Sequence, residues 1–386
     1  MWKALASNAI TFLIVILFLL GGLILWGQSQ YNAAGPLDQP ICLRVPSGSN
    51  MSRVSKDLVA QGAVSNGRIF RVGADYTDKT QELKAGSYLI PTHASMAQIT
   101  DIVTRGGAST CGTEIVYRVG VTRSTVQLRA LDPATSRYVE QASYLPGEDA
   151  VPAELTEALD SGDVRFRVAL AEGVTSWQVV ESLNAIEVMI GEVTEIPAEG
   201  SLAPDSYEIS RGADRAELIA RMQRAQQVIL AAAWAERAED LPVKTPEEAL
   251  ILASLIEKET GVAEERRQVA SVFVNRLRQG IKLQTDPTVI YGITKGQGVL
   301  GRGLRQSELR RETPWNTYVI PALPPTPIAN PGRASIEAAL NPDTTEFIFF
   351  VADGTGGHAF AVTLAEHNAN VAKWRAIEAE RAKQPD

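Results

Sequence analysis

Basic residues are in deficit in this chain: 37 Lys and Arg stand against 45 Asp and Glu, giving a formal net charge of -8 and a pI near 5.2. Nucleic-acid binders carry a basic face or stripe. None is visible, so nucleic acid is excluded as a partner. Histidine is scarcer still, with only His93, His358 and His367, and no H-E-x-x-H spacing. His358 and His367 flank a strand and a turn, where packing or hydrogen bonding is expected rather than zinc ligation. No G-x-S-x-G elbow or P-loop occurs. "GQGVLG" (296 to 301) satisfies G-x-G-x-x-G only as a loop, because no strand leads into it and no helix opens from it. No metal and no cofactor is expected. Only two cysteines are present, Cys42 and Cys111. Neither belongs to a Cys-His arrangement, and the sequence leaves open a disulfide or two buried thiols.

Against these absences stands one long uncharged run, "AITFLIVILFLLGGLILW", at residues 9 to 26. At the helical rise it covers roughly 27 Å, close to the hydrocarbon thickness of a bilayer. No A-x-A cleavage site follows, so it reads as an uncleaved transmembrane anchor rather than a signal peptide. Lys3 precedes it and the first charge after it is Asp38, which favours a cytoplasmic tail at 1 to 8 and the rest of the chain outside the cytoplasm. Residues 27 to 40 have turn formers without periodicity and read as a tether.

Beyond the tether the sequence repeats. "LRVPSGSNMSRVSKDL" (43 to 58) aligns with "VALAEGVTSWQVVESL" (168 to 183), placing Gly48 on Gly173, Val54 on Val179 and Leu58 on Leu183. Downstream, Tyr88 falls on Tyr207 and Ile99 on Leu218. Each copy reads as strand, Gly turn and helix, then a strand leading into a further helix, a duplicated βααβ-type module. The expected fold is α+β. Its parts are a first module at 41 to 111, an inserted segment of strands and an acid-rich loop at 112 to 163, a second module-like repeat with its linking helix at 164 to 239, and a mixed α+β domain at 240 to 386.

The last domain contains "ALILASLIEKETG" (249 to 261). Thr245, Pro246 and Glu248 have the layout of a helix start, and Gly261 can supply a left-handed end. On that helix Leu250, Ala253, Ser254 and Glu257 share one face, so Glu257 closes an apolar stripe. Desolvation and the negative end of the helix dipole both raise the pKa of a carboxyl placed there, as a general acid requires. Glu259 lies roughly 200° around the helix; it is expected to face solvent or pair with Arg266 or Arg267. A second amphipathic helix, about 263 to 279, presents Val269, Val272, Phe273 and Leu277 and stops at Gly280. Long Pro- and Gly-rich loops, a short helix near 335 to 340, a hairpin and a final helix follow.

The segments "ASLIEKETGVAEERRQVASVFVNRL", "QTDPTVIYG", "TPWNTYVIPALPPTPIANPG" and "FFVADGTGGHAFAVTLAEHN" resemble the endolytic murein transglycosylase, or YceG-like, family. The resemblance spans about 41 to 375 and is densest from 249 to 368. It implies a single-pass inner-membrane protein with a LysM-like module, which cleaves the MurNAc-GlcNAc bond inside peptidoglycan glycan strands and leaves a 1,6-anhydro end. Glu257 falls on the family's acid and base. Gln284, Thr285, Asp286, Asn316 and Tyr318 match its loop patterns as substrate-binding residues, although Asp286, before Pro287, also suits a turn. Peptidoglycan synthases are the partners that the resemblance suggests. At Ala203 many relatives carry a larger residue, which bears on one wall of the substrate groove. Two rival readings are a non-catalytic peptidoglycan-binding scaffold and an ordinary muramidase, whose products would be heavier by one water.

Overall fold

The computed structural model describes residues 2–46, 48–105, 111–160 and 164–381, with side chains from Thr11 onward. The chain divides into two compact units. One comprises residues 1–115, 127–144 and 149–165, and the other 116–126, 145–148 and 166–386. The fold is mixed α+β, as expected.

The first unit opens with α1 (Trp2–Asn32), in which Thr11–Asn32 is long and apolar enough to cross a membrane. Lys3 lies outside the residues whose side chains are described. The helix does not stop at the end of the apolar run. It continues to Asn32, Tyr31 and Leu37 are buried in the core of the module that follows, and the Tyr31 hydroxyl donates to Thr100 Oγ1 at 2.8 Å. The segment read as a free tether is therefore docked, because an aromatic and a leucine within it gain more by burial than by staying in water. The module itself runs β1 (Ile41–Val45), α2 (Met51–Ala60), α3 (Gly67–Tyr76), β2 (Gly86–Ile90) and α4 (Met96–Thr104). The strands β1 and β2 are antiparallel, with Leu43 opposite Tyr88. Cys42 and Cys111 form a disulfide with Cα atoms 5.7 Å apart, which closes the question the sequence left open.

Three strands follow, β3 (Thr113–Val119), β4 (Thr125–Asp132) and β5 (Arg137–Tyr144), within the inserted segment expected to hold strands. The acid-rich stretch read as a loop also forms a helix, α5 (Ala153–Asp160), which buries Leu155.

The second unit holds most of the other copy of the repeat: β6 (Val164–Leu170), α6 (Ser176–Asn184), β7 (Ser206–Ile209) and α7 (Arg215–Ala235). The strands β6 and β7 are antiparallel with Val168 opposite Tyr207, the same register as Leu43 opposite Tyr88. Val54, Leu58, Val179 and Leu183 are all at most 1% exposed. Even the tyrosine contacts recur: Tyr88 donates to Lys84 O and Tyr207 to Ala203 O, four residues upstream in each case. The second copy departs from βααβ, since only α6 lies between its strands and 186–205 is a long loop.

The rest of this unit is built around α8 (Pro246–Glu259), followed by α9 (Arg266–Arg278), α10 (Asp286–Thr294), α11 (Gln306–Leu309), α12 (Arg333–Leu340), the hairpin β8 (Phe349–Ala352) and β9 (His358–Ala361), and α13 (Leu364–Arg381). Thr245 caps α8 by accepting the Glu248 amide, while Glu248 accepts the amide of Lys244, one residue before the cap. Ala249 and Ile251 to Ile256 are buried on every side of α8, within a cluster that includes Val269, Phe273, Ile336 and Leu340. Burying Leu252, Leu255 and Ile256 contributes about 1.5–3 kcal/mol each. The helix ends on Thr260 in extended backbone, and Gly261 is not left-handed. Thr260 is buried and accepts the Val262 amide, which supplies the termination that Gly261 was expected to give.

Candidate active site

Glu257 lies in the last turn of α8 and is half-buried. Its apolar stripe is real, since Ala253 and Ser254 are fully buried. The carboxyl itself meets polar chain from two distant segments. Gly332, the N-cap of α12, donates its amide to Glu257 Oε2 at 3.0 Å. The turn between β6 and α6 lies against it as well: a Cβ on Gly173 would stand 3.5 Å from Glu257 Cγ and 3.6 Å from Lys258 Cδ. Lys258 Nζ donates to Gly173 O at 3.3 Å.

Asn330 fastens these segments together. Fully buried, it accepts the Gly173 amide on its carbonyl at 2.9 Å and donates its own amide to Val174 O at 2.8 Å. Its side chain donates to Val174 O and Ser176 Oγ and accepts the Leu202 amide. Glu199 completes the cluster by accepting the Ser176 amide at 2.8 Å and the Tyr291 hydroxyl at 3.2 Å. Burial pushes the Glu199 carboxyl up, against its hydrogen bonds.

Two neighbours of Glu257 have displaced proton affinities. Burial raises Glu172, the Glu257 charge raises it further and Arg266 opposes. Burial lowers Lys258, with Glu257 and Glu199 opposing. Burying a charged form penalises it, so the carboxyl rises and the amine falls.

Glu259 is not where the sequence was expected to put it. It turns inward and accepts the Thr285 hydroxyl, and burial holds its carboxyl above the ordinary glutamate value of 4.5. Arg267 pairs instead with Asp343 at 3.1 Å. The helical period did separate the two acids, but a helix apolar all round is buried all round. The opposite face of α8 is therefore interior too.

Thr285 and Asp286 begin α10, a helix the sequence reading had merged into loop, with Pro287 in its first turn. Proline is tolerated there because that amide has no helical partner. Asp286 is thus a first-turn residue and accepts the Tyr318 hydroxyl at 2.6 Å. Gln284, exposed and left-handed at φ 55°, accepts from Arg276 Nη1 at 3.3 Å. Thr285 is buried. Asn316 is fully buried and donates to Glu308 O, Leu309 O and Arg311 O. Of the five, Thr285 bonds to Glu259 and Asp286 and Tyr318 lie within range of its charge, while Glu257 keeps company with 172–174 and 330–332. Ala203 is 1% exposed and packs beneath α7, with its amide donating to Met222 O, so it lines no groove.

Glu172, Glu199, Asn330 and Gly332 escaped the sequence reading. For Glu172 a signal existed: it stands where the first copy of the repeat has Ser47, an acid gained beside the turn glycine. His358 Nδ1 lies 2.9 Å from Glu265 Oε2, and His367 stacks on Phe349. Among the described residues no group of His, Cys, Asp and Glu is arranged to hold a metal ion.

The YceG-like family model matches residues 43–132 and 113–373. A Bacillus subtilis (strain 168) protein named endolytic murein transglycosylase is 27% identical over 354 residues, covering 91% of this chain and 89% of its own. A protein of the same name from Streptococcus pneumoniae serotype 2 is 27% identical over 377 residues, and the match covers 94% of this chain but 64% of the pneumococcal one. A crystal structure of a yceG-like protein from Listeria monocytogenes aligns with 86% of this chain at TM-score 0.43 and 23% identity. On the extent of the family match, the chain belongs to the YceG-like family.

Proposed function

We propose that this protein is a membrane-anchored endolytic transglycosylase of peptidoglycan, with Glu257 as the proton donor and then the acceptor. The observation that carries the reading is the Glu257 carboxyl at the end of a buried helix, one oxygen engaged by the Gly332 amide, in a chain whose relatives are named for this activity. Among the described residues Oε1 accepts no hydrogen bond, which leaves it for a glycosidic oxygen.

The chemistry suits one carboxyl. Glu257 protonates the leaving oxygen as the bond to C1 of MurNAc breaks. The C6 hydroxyl of the same sugar then attacks C1 and returns its proton to Glu257, so the 1,6-anhydro ring forms with no water consumed. Hydrolytic glycosidases need a second carboxylate to act as nucleophile or to activate water. Attack within one sugar has the advantage of an effectively unimolecular step.

In this reading Gln284, Asp286 and Tyr318 offer hydrogen-bonding groups to the glycan, while Thr285 and Asn316 hold the loops that present them. The module at 41 to 111 is a LysM-like glycan-binding unit. The apolar helix anchors the protein in the inner membrane with its N-terminus cytoplasmic and its catalytic part periplasmic, near peptidoglycan synthases.

Mass spectrometry of digested glycan strands tests the proposal. The native protein should yield 1,6-anhydro-ended fragments, and Glu257→Gln, which keeps the side chain's shape, should yield none while retaining native circular dichroism. Products heavier by one water would make it a muramidase, and unchanged strands a binding scaffold. Undiminished anhydro product from Glu257→Gln would remove Glu257 from its role.

A further inference from the structure

Glu257 is not the only carboxyl at Gly332. The Cα of Gly332 faces the Glu172 side chain so closely that a Cβ built there would overlap the Glu172 carboxyl. The amide of the same glycine is held by Glu257 Oε2. Two carboxyls thus converge on one peptide at the start of α12, where the positive end of the helix dipole favours a single negative charge. Glu172 is an exposed residue that immediately precedes the turn Asn330 pins at Gly173 and Val174.

We propose that Glu172 is a positioning residue for the reaction, its carboxyl set against Gly332 so that it fixes the protonation state in which Glu257 meets the glycan. The inference rests on Glu257 being the acid and base. Two like charges at one site resist joint ionisation, so a pair of this kind keeps one proton to higher pH than either carboxyl would alone. The proton so retained is shared by the pair and belongs to neither carboxyl alone. The other charged groups facing the pair are Arg266, which attracts Glu172, and Lys258, whose ammonium is weakened by burial and answered by both Glu257 and Glu199. The raised proton affinity of Glu172, due first to burial and then to Glu257, agrees with this geometry.

The test is the pH dependence of kcat/KM for anhydro-product formation by the full-length protein. Ionisation of the pair's last proton sets the alkaline limb. Removing one carboxyl removes the repulsion, so Glu172→Gln should move that limb to lower pH by about one unit, tenfold in rate on the limb. Glu172→Asp should return most of the shift. Gly332→Ala supplies an independent route: its backbone at φ -72° accepts alanine, and the new methyl must push aside the flexible end of Glu172. It should reproduce the shift even where Glu172→Gln folds poorly. The double variant should shift no further than either single one, as expected for a shared cause. An unmoved limb in Glu172→Gln or Gly332→Ala, or additive shifts in the double variant, would overturn the proposal. Should Glu257→Gln be inactive while the limb stays unmoved, only this inference falls; an active Glu257→Gln defeats the assignment beneath it.

Discussion

The two copies of the repeat share strand register, turn, core positions and tyrosine contacts, yet their glycine turns lead different lives. At Gly48 (φ +75°) an added Cβ would meet nothing within 4 Å, whereas at Gly173 (φ +80°) it would touch Glu257 and Lys258. The first copy is closed by the disulfide between Cys42 and Cys111. The second is closed by Asn330 and by the end of α8. Both glycines are required by backbone sterics, since a left-handed conformation is costly for other residues. Only one of them also lies against the proposed acid. One local solution has thus been kept twice, and the candidate site lies beside one of the two.

The sharpest way to break this comparison is to place leucine at each turn. Gly173→Leu should lower turnover by at least a hundredfold, on the order expected when a reacting group is displaced by about an ångström. Gly48→Leu should leave turnover close to native and cost about 1–3 kcal/mol of stability, from backbone strain alone. Equal kinetic effects would show that the turns are not distinguished by Glu257. Next in size is the bridge of the first copy. Replacing Cys42 and Cys111 by serine opens a loop of 69 residues and should cost about 2–4 kcal/mol, read as a lower thermal midpoint for that unit, with anhydro-product formation retained. The smallest effect should be the most symmetrical. Tyr88→Phe and Tyr207→Phe each delete one hydroxyl bonded to a carbonyl and should each cost about 1 kcal/mol. Burial pushes the Tyr207 phenol up to about 12, so its cost should be constant across the neutral range. Denaturant titration of both variants would reveal any asymmetry between the copies.

The elements that could be read from sequence were those whose signal is local. The Thr245 and Pro246 start of α8, the repeat at Gly48 and Gly173, the end of α9 at Gly280 and the β8 to β9 hairpin each depend on a few adjacent residues. What escaped the reading depends on residues far apart. Pro287 looked like a loop former until Thr285 and Asp286 were seen to open a helix over it. Glu259 looked solvent-facing because its period placed it opposite Glu257, and only the packing of α10 shows that side to be interior. Tyr31 looked like part of a tether because nothing nearby in sequence reveals the pocket beside Thr100. For the candidate site, the stripe showed where Glu257 sits and only the family resemblance gave it a role, whereas Gly332 gains meaning only once the fold brings it to a carboxyl 75 positions earlier in the chain.

The anchorage of Asn330 has a consequence for biosynthesis. Its side chain grips a carbonyl 156 residues earlier, so the hydrogen bonds that hold the turn at 173–174 cannot form until residue 330 has been synthesised. A truncated or stalled product would carry α8 without the peptide that orients its acid. On the proposed function, activity would therefore await synthesis of the chain through residue 330, a delay set by chain topology alone.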